Sequence, residues 1–148
     1  MANKETKRLG NKGFSLVELI VVIAIMAVLV GVLAPQFIRY VEKSRQSGDV
    51  TSIQSAMTAI ETGVSDGQVT GNVTITIAAG GDATIDDSNA GTALTDSGLT
   101  TTIDLKSAGW SGMTLTYNFA DSKWAFGAGD TTANSNKPNT DMKSVINE

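Results

Sequence analysis

Between Leu19 and Ile38 the chain runs for 20 residues without a charged side chain. As a helix rising ~1.5 Å per residue, the run spans roughly 30 Å, the thickness of a bilayer's hydrocarbon core. Its residues are apolar on every helix face, so the segment must be buried all round, in lipid or among other apolar helices. The chain's 148 residues are enough for one domain of ordinary size.

Charge divides at the same place. Lys4, Lys7, Arg8 and Lys12 against Glu5 give residues 1–13 a net charge of +3, whereas the other 135 residues hold 7 basic and 14 acidic side chains. A basic head before an apolar run predicts the head in the cytoplasm and the residues after about Tyr40 outside. With no Cys there is no disulfide framework, and with no His the commonest general base and metal ligand is missing. Aromatic residues make up 5%, which argues against a large close-packed enzyme core.

Two plain readings of the run fall short. A secretory signal peptide has an apolar region of about 7–15 residues, shorter than this one. Its candidate cleavage site, Val32-Leu33-Ala34, is followed at once by Pro35, which fixes φ and lacks the amide proton. A single-pass anchor fits the length. Neither accounts for Glu18 at the edge of the run, where a carboxylate costs up to ~2.5–3.5 kcal/mol on insertion scales.

Lys12-Gly13-Phe14-Ser15-Leu16-Val17-Glu18-Leu19-Ile20 resembles the processing motif of type IV prepilins and their pseudopilin relatives. That pattern is a basic leader ending in Gly, then a hydrophobic residue, with Glu as the fifth residue of the mature chain; Gly13, Phe14 and Glu18 match it. The likeness extends through the apolar helix, Pro35 and the amphipathic continuation to about residue 63. It implies cleavage between Gly13 and Phe14 by a membrane aspartic prepilin peptidase. It also implies N-methylation of the new Phe14 amine, with S-adenosylmethionine as donor. Glycine at the cleaved position lets a peptidase hold the backbone extended and close. Phe14 and Glu18 are four residues apart, which places them on one face of a helix. The resemblance implies that Glu18 attracts the Phe14 amine of an incoming subunit, neutralising a charge that lipid disfavours. Gly31 and Pro35 form a weak point, because glycine costs ~1 kcal/mol relative to alanine and proline cannot donate to the Gly31 carbonyl. The family likeness implies local loss of helix there in a filament.

After Pro35 the pattern becomes amphipathic. Val50, Ile53, Met57, Ile60 and Val64 recur at helical steps, and Gly63 is read as the C-terminal stop. One helix is expected from near Phe14 to about Thr62. Residues 64–148 read as β-rich: Val73–Ile77 and 113–117 alternate with period two, 113–119 and 123–127 form a hairpin, and 101–105 add a strand. Ile75, Ile77, Leu115, Tyr117, Trp124 and Phe126 are expected to cover the helix. The stretch 80–100 and the tail from Gly127 to Lys143 read as polar loops. Asp82, Asp86, Asp87 and Asn89 offer oxygens for calcium without an EF-hand spacing, and a solvated loop is the plainer reading. Asn72-Val73-Thr74 fits a glycosylation sequon, a weak signal at a strand start.

The expected fold class is α+β, a long N-terminal helix packed on a small antiparallel sheet, pilin-like. The chain divides into a cleaved leader (1–13), a membrane and filament-core segment (14–38), an amphipathic half-helix (39–63) and a β-rich extracytoplasmic head (64–148). The leading function is a structural subunit, a major pilin, of a type IV pilus. Its partners would be the cytoplasmic membrane, the prepilin peptidase, the pilus assembly machinery and other copies in a helical filament. No catalytic residue, metal or cofactor is expected. The alternatives are a pseudopilin of a type II secretion system and, from another class, an exported enzyme or binding domain on an anchor. Carboxylates lie mainly in polar loops with no convergent set, which weakens the enzyme reading. Basic side chains beyond residue 46 are only Lys106, Lys123, Lys137 and Lys143, which disfavours direct nucleic-acid binding.

Overall fold

A computed structural model describes residues 13–127 and Met142. The stretch before Gly13 expected as a leader, and the tail expected as a polar loop, lie outside these residues apart from Gly127 and Met142. Seven elements follow in chain order: α1 (Leu16–Ser65), β1 (Val73–Ile77), β2 (Ala83–Ile85), α2 (Asp87–Asp96), β3 (Thr102–Ile103), β4 (Met113–Asn118) and β5 (Lys123–Phe126). Two compact units divide between Arg39 and Tyr40.

In the first unit α1 is apolar all round, and its large side chains are exposed from Leu16 to Ile38. This helix is long and apolar enough to cross a membrane. Helix continues without a break through Gly31 and Pro35.

In the second unit the amphipathic part of α1 packs on a five-stranded antiparallel sheet of order β3-β2-β1-β4-β5. Val50, Ile53, Met57 and Ile60 are buried, as their helical spacing requires. Opposite them lie Ile75, Ile77, Leu115 and Tyr117, also buried. Strand β4 alternates buried and half-buried residues along its whole length, the mark of a sheet with one face on a core. Central β1 pairs with β4 through Ile75↔Leu115 and with β2 through Ile75↔Ile85, so three apolar side chains form one row against the helix. Trp124 and Phe126 are half-buried, and the Trp124 ring meets Tyr117 edge-on at 5.4 Å. The expected hairpin is present. Asn118 shapes its turn by donating to Asp121 Oδ2 (2.7 Å) and accepting from the Ala120 amide (3.1 Å).

Two expectations are corrected. Residues 80–100 are not a solvated loop: they contain β2 and α2, and Ala90, Ala93 and Leu94 are buried. Asp86, offered above as a calcium ligand, caps α2 by accepting from the Ser88 amide (3.1 Å) and hydroxyl (2.8 Å). Asn89 donates to the Asn72 carbonyl at 3.2 Å. The helix was hidden because small polar residues favour turns and caps unless packing decides otherwise.

Gly63 is not the helix stop either. Helix α1 runs on to Ser65 and closes through Gly67, whose φ of 73° suits glycine. The Gly67 amide donates to the Val64 carbonyl (3.1 Å) and the Gln68 amide to the Gly63 carbonyl (2.8 Å). Helix α2 ends the same way, at Gly98. Gly63 instead lets α2 approach: a Cβ there would lie 2.4 Å from Ala93 Cβ and 3.1 Å from Val69 Cγ2. Gly63→Ala is therefore expected to lower stability by about 1–2 kcal/mol, because overpacking outweighs the gain in helix propensity. Urea denaturation of the full chain in detergent checks this; an unchanged midpoint would mean that α2 shifts freely.

Candidate functional site

The N-terminal site is built on a helix start. Gly13, Phe14 and Ser15 precede α1 and are not helical. Phe14 is 86% exposed, and among the described residues nothing stands within 4 Å of a Cβ placed on Gly13. The bond between them is thus accessible in an uncoiled segment. Helix α1 begins directly after Ser15, and Glu18 stands in its first turn. The Ser15 amide donates to Glu18 Oε2 at 2.9 Å, while the Ser15 carbonyl accepts from Leu19 N at 3.2 Å. Glu18 thereby satisfies an amide that the first turn leaves without an intrahelical partner, and its negative charge suits the positive end of the helix.

This differs from the sequence expectation in one respect. Phe14 lies ahead of the helix, so it does not share a helical face with Glu18 in the unprocessed chain. The Glu18 carboxylate is held by its own backbone instead. Ser15-x-x-Glu18 has the spacing of a capping box, a signal that could have been read in advance.

The family model described as the prokaryotic N-terminal methylation motif matches residues 8–34. That segment contains the Gly13–Phe14 bond, Glu18 and Gly31. The chain is type IV pilin-like in its N-terminal part. Among curated proteins, a type IV major fimbrial protein FimA of Dichelobacter nodosus is 40% identical over 60 residues, covering 40% of this chain and 38% of the relative. The type IV major pilin protein PilA of Myxococcus xanthus is 39% identical over 49 residues, covering 33% of this chain and 22% of the relative. The matched segment therefore spans well under half of each relative. No solved structure matches the chain.

In the second unit another polar centre was missed by sequence reading. Asp49 is 3% exposed and accepts from the amides of Lys106 and Ser107 (both 2.8 Å) and from Trp110 Nε1 (3.0 Å). One helical stretch earlier, Glu42 accepts from the Ser107 hydroxyl at 2.6 Å, and that hydroxyl accepts from Gly109 N at 3.0 Å. These bonds fasten the 104–112 segment, which carries the chain from β3 across to β4, onto α1. Without regular structure the segment needs other partners for its buried amides. A signal existed: Asp49 falls four residues before Ile53 on the apolar stripe, where a carboxylate persists only if donors surround it. On the other side of the helix Trp124 Nε1 donates to Glu61 Oε1 at 2.8 Å. Among the described residues no three Asp or Glu side chains gather as a metal site.

Proposed function

We propose that the chain is a structural subunit, a major pilin, of a type IV pilus. The observation that carries this reading is the N-terminal motif: an accessible Gly13–Phe14 bond directly ahead of a capped helix that is apolar all round, with Glu18 in its first turn. The precursor waits in the cytoplasmic membrane, leader inside and head outside. Prepilin peptidase removes residues 1–13, the Phe14 amine is methylated, and assembly machinery moves the subunit into a helical filament of its own copies. There the apolar helices exchange lipid for one another, a transfer between two apolar surroundings. Glu18 exchanges the Ser15 amide for the charged amine of a neighbouring subunit. The Gly31–Pro35 stretch supplies the weak point at which the helix can lengthen. The names of the relatives favour a pilus over a secretion pseudopilus.

Mass spectrometry of sheared surface filaments tests this. The first residue is expected to be a methylated Phe14. Finding Met1 or Gln36 there would reject the processing scheme. Gly13→Val is expected to leave the leader attached, because a β-branched side chain restricts the backbone and fills the space that a peptidase needs at the cut. Normal processing of that variant, read by a mobility shift of the membrane-held chain, would remove Gly13 from the site.

A further inference from the structure

Most carboxylates of the head have an internal partner. Asp49 and Glu42 hold the crossover segment, Asp86 caps α2, Glu61 accepts from Trp124, Asp104 pairs with Lys106 and Asp121 accepts from Asn118. Asp82 has no such partner among the described residues; Asp66 likewise has none and Asp96 has only the neutral Gln68 amide, so Asp66 and Asp96 keep charge that no cation offsets. Both are exposed, Asp66 directly after α1 and Asp96 as the last residue of α2, and neither helix has a basic residue in its last turn. The carbonyl end of a helix is already partly negative, so a carboxylate there is disfavoured and a cation favoured. The two ends also lie together, since Gln68 of the α1 cap donates to Asp96 at 2.8 Å and Gly63 sits against Ala93.

The complementary charge is on the same helix. Lys43 and Arg45 are exposed, and among the described residues neither forms an ion pair. Glu42, the neighbour that would offset them, is turned to Ser107. Lys43 and Asp66 are about 35 Å apart along α1, so the chain cannot join the two regions by itself.

We propose that the basic turn at Lys43 and Arg45 docks on the acidic helix ends, Asp66 and Asp96, of a second copy of this chain. The inference builds on the subunit reading and names the contact that sets one head against the next. Opposite charges at such a contact fix register and reject wrong neighbours.

Charge reversal tests it in the full chain. Lys43→Glu with Arg45→Glu, and separately Asp66→Lys with Asp96→Lys, are each expected to cut filament yield about tenfold, and all four together to restore most of it. Arg39 stays in place, so the basic flank of the apolar segment is kept. Unchanged yields, or a fourfold variant no better than the pairs, would overturn the proposal. So would a loss confined to the Lys43/Arg45 pair with less chain held in the membrane, which would point to lipid phosphates instead. Because the chain has no cysteine, Lys43→Cys with Asp66→Cys gives a clean second readout with a short bis-maleimide. A ladder of linked copies is expected. Linked dimers in membranes of cells without filaments would uphold this contact while the pilus reading fails. Filaments that contain the chain but yield no ladder would do the reverse, and neither ladder nor filaments would overturn both.

Discussion

Asp49→Ala is expected to destabilise the second unit by about 3–5 kcal/mol, as much as truncating a large core side chain. The substitution removes one acceptor and strands three donors: the amides of Lys106 and Ser107 and the Trp110 indole. Each buried donor without a partner costs about 1–3 kcal/mol, and solvent can relieve part of that by entering the gap. Asp49→Asn keeps the volume and one acceptor oxygen, so about half of the loss is expected. Urea denaturation of the full chain in detergent, followed by tryptophan fluorescence, measures both. A loss below about 1 kcal/mol for the alanine variant would mean that other contacts hold the crossover segment.

Glu18→Ala is expected to reduce filaments by about a hundredfold or more while the chain stays in the membrane. The two effects have opposite signs on the same residue. Removing a carboxylate from the edge of an apolar helix favours insertion, by up to ~2.5–3.5 kcal/mol at the helix centre and less near the interface. In the filament the same change leaves the neighbour's amine without a counter-charge among apolar helices, which costs about 3–5 kcal/mol. Glu18→Gln separates charge from capping, because the amide oxygen still accepts from the Ser15 amide. It should retain the helix start and still lose the filaments. Electron microscopy of sheared fibres and immunoblotting of membranes are the measurements. Abundant normal filaments from either variant would end the assembly role of Glu18.

The N-terminal motif and the helix were legible because their signals are local. Gly13, Phe14 and Glu18 form a contiguous motif, and the apolar stripe Val50-Ile53-Met57-Ile60 repeats with the helix period, so neither needs a distant partner to be seen. Strands β1 and β4 were equally open to reading, because alternation reports a sheet with one buried face. Helix α2 was not. Its Asp-Ser-Asn-Ala-Gly-Thr-Ala-Leu-Thr-Asp sequence has weak helix propensity, and it is helical because Ala90, Ala93 and Leu94 find the core and Asp86 caps it.

By itself the amino-acid sequence determined a basic N-terminal stretch, a bilayer-length apolar helix with one acidic residue at its edge, and a β-rich acidic body. These follow from composition and periodicity, which every short segment carries within itself. Only the tertiary structure decided that Gly63 is a point of close approach, that Asp49 is the buried anchor of the crossover segment, and that Asp66 and Asp96 share one exposed negative end. Each of those depends on residues from 28 to 61 positions apart meeting in space, and no local pattern encodes which partner will arrive.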